Sequence, residues 1–329
     1  MKLKEYSDFA EKGAMFDIHT INNKDELDGL ILSESKKTKT VYRGVSEAKY
    51  KIYTSAQREW ITKELSNTKL KFDDFIEIMI SEAKNQRRKL LKRFFKSLNH
   101  NVNDLLILSF LQHYGAPSPL LDVTRNIYKS LFFCFYKMSY NPSDKIIDNY
   151  TSLYVFDNIQ SICSFLPSKR MAKDMKYKNL KDTPAQSSGS LYLGDISKLN
   201  GENPYETLLR YEKLREQRLI LIDDLLRYSL RPLSKEKSIY LSSIVAPNLN
   251  ALAQDGAFIV YLNDMEPLED FYLNEKATKL QCYNIHKSLK EYVFENYLKT
   301  RSINEDTLFP QEESIAKDSY IGFLHQLNK

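Results

Sequence analysis

The chain has 329 residues, 42% apolar and 12% aromatic, with only 9 glycines and 10 prolines, a mix that builds a substantial core and excludes a disordered or collagenous chain. Its 48 basic and 43 acidic residues leave a net charge of +5, too small at this length to indicate nucleic acid by itself. The longest apolar runs, near Leu105 and Leu131, fall well short of the ~20 residues of a bilayer-spanning helix, and residues 1–13 lack the apolar centre of a signal peptide, so a protein with no membrane segment is expected.

Residues 1–35 read as a helical lead-in. A short helix is followed by helical spacing over 18–32, around Leu27, Leu30 and Leu32. Asn23 is placed to cap that helix, with Glu26 three residues on, as in a capping box. A polar turn at 36–39 leads into a strand beginning at 40. Alternation there puts Tyr42 and Gly44 on one face and Val41 and Arg43 on the other. An arginine within a buried strand is costly unless it meets an anion or several acceptors. Arg43 is therefore the first residue to assign to a ligand, with an internal ion pair as the competing reading.

Residues 58–99 read as one or two long helices with an apolar stripe through Phe72, Phe75, Ile76, Met79, Ile80 and Ala83. Near its end a basic cluster, Arg87, Arg88, Lys92 and Lys96, forms either a solvated face or a phosphate-facing patch through which nucleic acid would bind. An apolar helix over 105–111 then meets the run from Gly115 to Pro119, where two prolines and a glycine forbid helix. A short strand at 120–124 sets Leu121 and Val123 on one face and Leu120, Asp122 and Thr124 on the other. Asn126 caps the next helix, which runs through Leu131 and Phe132. Between these buried elements lie Gln112, His113, Tyr114, Asp122, Thr124 and Arg125. Such a polar joint either positions a site or merely caps helix ends.

Downstream the pattern reads as a strand at 152–156, an aperiodic stretch at 159–190, a strand and turn at 190–203 and a helix at 206–229. Strands follow at 242–245, 257–262 and 280–285, then an amphipathic helix at 287–300 and a final helix at 315–327. Strands spread among helices without a βαβ rhythm indicate an α+β fold with a mixed sheet. The expected organisation is one domain over 36–329, with a helical insertion at 58–111 and a variable one at 159–235. Cys134, Cys163 and Cys282 are far apart and the five histidines are isolated, so no metal site is expected and the chain reads as a reduced, cytoplasmic protein.

The run HYGAPSPLLDVTRNIYKSLFF resembles the signature of the FRG-domain family. Tyr42-Arg43-Gly44 is similar to the aromatic-Arg-Gly tripeptide of that family. Gln254-Asp255-Gly256-Ala257-Phe258 and the closing blocks at 279–285 and 306–310 match in the same order. More distantly, the strand carrying Arg43 and the strand Asp122-Val123-Thr124 with its helix resemble ADP-ribosyltransferases. That resemblance implies a mixed, largely antiparallel sheet of an ADP-ribosyltransferase-like core, with NAD as substrate of a transferase or NAD glycohydrolase. Arg43, His113 and Gln254 would then be catalytic. Tyr42, Gly44, Gln112, Tyr114, Asp122, Thr124 and Arg125 would bind the nucleotide. The resemblance also implies a bacterial toxin or phage-defence setting. Two departures stand out: Pro119 and Asn250 replace arginines of the family pattern. The 254–260 block, the counterpart of the transferases' third element, has no glutamate. The alternatives are a non-catalytic nucleotide or nucleic-acid binding module, or a structural domain. His113 has a structural reading beside the catalytic one, and Asp122 one as a loop cap.

Overall fold

Among the described residues eight strands carry the architecture: β1 (Asp17–Ile21), β2 (Val41–Val45), β3 (Leu120–Thr124), β4 (Tyr150–Phe156), β5 (Ile220–Ile222), β6 (Ile239–Ser242), β7 (Gly256–Tyr261) and β8 (Gln281–His286). The computed structural model describes residues 2–37, 40–97, 104–138, 140–156, 220–222, 239–242, 249–261, 263–270 and 279–310. The strands form one mixed sheet in the order β1-β8-β4-β2-β3-β7-β6-β5. The β1–β8 and β5–β6 pairs are parallel and the rest antiparallel, so the class is α+β. The helices are α1 (Phe9–Met15), α2 (Lys24–Glu34), α3 (Ser55–Thr62), α4 (Phe72–Ser97), α5 (Asp104–His113), α6 (Ile127–Phe135), α7 (Leu249–Ala253), α8 (Lys290–Val293) and α9 (Glu305–Leu308).

Local signals act where the sequence placed them. Asn23 accepts the Glu26 amide at 3.0 Å and starts α2. Asn126 accepts the amides of Tyr128 and Lys129 and starts α6. Elsewhere tertiary pairing overrides the local pattern. Residues 17–21 leave the expected helix because they pair in parallel with β8, more than 250 positions along the chain. Residues 220–222 pair with β6, which puts a strand inside the helix expected at 206–229. The strand expected at 242–245 instead runs from Ile239 to Ser242. The single helix expected at 287–300 is a chain of short turns, with α8 continuing into a π turn over Phe294–Leu298. The strand expected near 193 and the helix at 315–327 lie outside the described residues, as do Cys163 and the side chains of Arg87, Arg88, Lys92 and Lys96.

The two faces of the sheet bury different things. On one, Tyr42, Leu153 and Val155 pack under α2, α6 and the turns around Leu298 and Leu308. Leu131, Phe132 and Phe135 of α6 are buried there, each contributing roughly 1.5–3 kcal/mol. On the other, Val41, Leu121, Val123 and Tyr154 pack against the N-terminal segment. That segment is held by two buried polar anchors. The Tyr6 hydroxyl donates to Glu269, and Lys12 donates to the Ala48 carbonyl, Ser152 Oγ and Asn284 Oδ1. A third cluster joins α3, α4 and α5 through Trp60, Phe72, Ile76 and Ile107, and Leu120 of β3 closes it. Among the described residues no helix is long and apolar enough to cross a membrane.

The centre of the sheet has a fault. Strand β2 pairs with β4 at all five positions, Val41 to Val45, and β3 pairs with β7 at all five, Leu120 to Thr124. Between β2 and β3 only Tyr42 and Thr124 are partners. Past that pair the two strands part, and the residues after Tyr42 on β2 and before Thr124 on β3 border the gap.

Candidate functional site

A cleft of about 310 Å³ lies where β2 and β3 diverge. Tyr42, Arg43 and Gly44 line it from β2, and Asp122 and Thr124 from β3. The end of α5 adds Gln112 and His113, and the α7 region adds Asn250 and Gln254. Eight of the ten residues assigned from the sequence thus meet in one cavity.

Arg43 is half-buried at its opening. Its Nη1 donates to the Asp122 carbonyl at 2.6 Å, bridging the two strands where their ladder is missing. Among the described residues this is its one hydrogen bond, from a guanidinium with five N–H donors. It forms no ion pair among them, and the Asp122 carboxylate is the negative charge nearest in effect. Burial depresses its pKa, the Asp122 carboxylate opposes that, and the nearby Arg58 guanidinium adds to it. A half-buried cation beside a second cation is an arrangement that a ligand anion stabilises.

Asp122 is the carboxylate of the cleft, exposed on β3. Gln112 holds it, its Nε2 donating to Asp122 Oδ2 at 2.9 Å. The amide orientation is fixed from the other side, because Gln112 Oε1 accepts from Ser118 Oγ at 2.7 Å and Ser55 Oγ at 3.1 Å. Ser118 is fully buried and Ser55 lies at the start of α3. The Gly115–Pro119 run thus does more than break a helix: it delivers the hydroxyl that orients Gln112. Pro119 itself gives its carbonyl to the Tyr261 amide at 2.9 Å, so the position that departs from the family pattern is built into the β3–β7 edge.

His113 is half-buried, and burial lowers its pKa. Asn250 Nδ2 lies 3.5 Å from His113 Nδ1. The two side chains are in polar contact, with the donor and acceptor roles set by the imidazole tautomer. Asn250 thus contacts the histidine of the cleft at the second position where the chain lacks a family arginine.

The other converging residues have framework duties. Thr124 Oγ1 donates to the Gln254 carbonyl at 2.6 Å and accepts from the Asn126 amide at 3.0 Å. Gln254 Nε2 donates to the Leu308 carbonyl at 3.0 Å, tying the closing block to the turn before β7. Asp255 at that turn has φ 48° and ends α7, while a Cβ on Gly256 would come within 2.9 Å of the Ala251 carbonyl. Gly44 is needed for the same reason. A Cβ there would overlap the Ser130 carbonyl and reach 2.8 Å from the Cys134 amide, because α6 lies directly on β2. Tyr42 is buried, its hydroxyl donating to the Glu34 carbonyl at 3.0 Å.

Two assigned residues stay outside the cleft. Tyr114 is 69% exposed and packs its ring on Phe110, with centroids 4.7 Å apart. Arg125 is exposed at a separate pocket beside Asn126 and Asp255. Both follow from chain direction: α5 ends at His113, and β3 has left the gap by Thr124. The sequence reading missed Phe133, Phe258 and Phe309, which form the apolar wall. Phe309 had a signal in the closing 306–310 block. Arg58, in electrostatic reach of both Arg43 and Asp122, had none.

No curated protein and no solved structure matches the chain. Residues 38–142 match the family model of the FRG domain, a span running from β2 through α6. It contains Arg43, Gln112, His113 and Asp122, so the residues that meet at the strand gap belong largely to the matched segment. The chain carries an FRG domain over residues 38–142.

Proposed function

We propose that the cleft binds a nucleotide and that the protein is an ADP-ribosyltransferase-like enzyme using NAD as substrate. The observation that carries this reading is Arg43: a half-buried guanidinium at the cleft mouth, with one hydrogen bond to a neutral carbonyl and no ion pair among the described residues. A phosphate oxygen pair is the ligand that matches its fork. The pocket size falls in the range that takes a small ligand.

The remaining groups fit the cleavage of a glycosidic bond. When the bond from ribose C1′ to the nicotinamide nitrogen breaks, the pyridine leaves with the electron pair and positive charge develops on the ribose. Asp122, oriented by Gln112, would accept a ribose hydroxyl and offset that charge. Neutral His113 would take the proton from the attacking water or acceptor hydroxyl at its unprotonated ring nitrogen, or donate a hydrogen bond from the other. Gln254 would act through position, since its side chain is tied to Leu308. The bacterial toxin or phage-defence setting implied by the resemblance belongs to the same proposal.

The test is calorimetric titration and thermal shift with NAD, ADP-ribose and ATP, wild type against Arg43→Ala. A ligand bound only by the folded state raises the melting temperature by mass action. The expected result is a shift with NAD or ADP-ribose that vanishes in the variant. No shift with any nucleotide overturns the reading.

A further inference from the structure

Arg43 lines a second cavity as well. It also borders a groove of about 680 Å³, more than twice the volume of the cleft. The walls are the N-terminal segment at residues 2–5, the stretch at 50–53, and the face of α3 that carries Arg58 and Thr62. The N-terminal wall is pinned by the buried Tyr6 and Lys12 anchors, and residue 5 also bridges to residue 50. The groove is therefore a feature of the folded core.

Its charge is one-sided. Lys2, Lys4, Arg43, Lys51 and Arg58 line it, against Glu5 as the one carboxylate among the lining residues. Lys51 is neutralised by Glu11 at 3.2 Å. The side chains of Lys2, Lys4 and Arg58 form no ion pair among the described residues. Arg43 and Arg58 are close enough to repel, and the Asp122 carboxylate is the counter-charge both feel. Two guanidiniums lining one groove, one of them shared with the cleft, are unfavourable in the empty protein and become favourable when an anion with several oxygens lies between them. The groove also offers a surface for a planar ring. Tyr50 is 43% exposed, with Val45 and Ile52 beneath the same cavity.

We propose that this groove binds a nucleoside diphosphate unit, its phosphates between Arg43 and Arg58 and its base against Tyr50. The proposal deepens the nucleotide reading above and rests on it: the cleft at the strand gap takes the reacting end of the ligand, and the groove takes the nucleoside diphosphate end. Three walls enclose the groove, which suits one nucleotide unit better than a continuous strand.

The experiment is calorimetric titration of the full chain with ADP, ADP-ribose, NAD, nicotinamide mononucleotide and a short oligothymidylate. Wild type is compared with Arg43→Ala, Arg58→Ala and Tyr50→Ala. Arg58 and Tyr50 are exposed, so both variants are expected to fold, which circular dichroism checks. In Arg58→Ala, affinity for ADP, ADP-ribose and NAD should fall roughly tenfold or more, the loss of a charge-assisted contact. In Tyr50→Ala the same ligands should weaken about fivefold, the loss of a ring contact. Nicotinamide mononucleotide should be unaffected by Tyr50→Ala. Suppose NAD binds wild type and is lost in Arg43→Ala, while Arg58→Ala and Tyr50→Ala bind ADP and NAD as wild type does. The groove proposal is then overturned and the cleft reading stands. If none of the mononucleotides or dinucleotides binds wild type, both fall. Binding of the oligothymidylate with ADP silent also overturns the proposal, in favour of a nucleic-acid surface.

Discussion

Strand β2 meets its two neighbours in opposite ways. Toward β4 it is closed, with five paired residues and helix α6 lying so near that Gly44 has no room for a side chain. Toward β3 it is open, with one paired residue and a guanidinium spanning the gap. The tripeptide Tyr42-Arg43-Gly44 serves both sides, because alternation sends its side chains to different faces. Tyr42 and Gly44 belong to the closed, structural side and Arg43 to the open one. The lesson is that one short motif can hold a fold-determining and a ligand-determining residue side by side, and the two are separable by what their loss does.

Gly44→Ala should break the closed side. The added methyl meets backbone atoms of α6, which cannot yield as a flexible side chain would. Destabilisation on the order of 3 kcal/mol is expected, read as a lower urea midpoint with an unchanged m-value. A midpoint equal to wild type would mean α6 does not lie on β2 as described.

Arg43→Ala should break the open side and spare the closed one. Nucleotide affinity is expected to fall about a hundredfold, while the unfolding free energy changes by no more than about 1 kcal/mol, since one hydrogen bond is lost and one desolvated charge removed. A collapse of the fold with this variant would place Arg43 on the structural side after all. Gln112→Ala tests the link between the two. It leaves the buried Ser118 hydroxyl without the Gln112 acceptor and releases Asp122, so a loss of roughly 1–3 kcal/mol in stability should come with weaker nucleotide binding. Stability lost with full binding retained would reduce Gln112 to a packing residue.

The smallest effect concerns pH. Burial lowers the pKa of His113 in the folded chain below its unfolded value near 6.5. The unfolded state then binds more protons in that range, so the stabilisation is fully present above pH 6.5 and is lost as pH falls below it. In His113→Gln the decline in melting temperature between about pH 6.5 and 5 should be shallower than in wild type. His286, also depressed by burial, leaves a residual slope in both proteins. Identical slopes would indicate that the His113 ring is fully solvated.

Much of this was readable from the sequence, for local reasons. The caps at Asn23 and Asn126, strand β3 with its alternation, and the opposed faces of Tyr42 and Arg43 depend on residues within a few positions of one another. Burial cost singles out Arg43 from the sequence alone, since a charge in an apolar strand needs a partner. The converging set around Gln112, His113 and Asp122 was legible as a polar joint between apolar elements. Other things only tertiary structure decided. Strand β1 and strand β5 exist because distant partners pair with them, against the local helical spacing. The exclusion of Tyr114 and Arg125 from the cleft depends on where α5 and β3 end in space. The duties of Gln254 and Gly44 come from contacts with Leu308 and α6. The cleft itself comes from a ladder between β2 and β3 that stops after one pair. A sequence encodes which residues favour a strand, but whether two strands stay together is set by what packs on both faces of the sheet, and that depends on the whole chain.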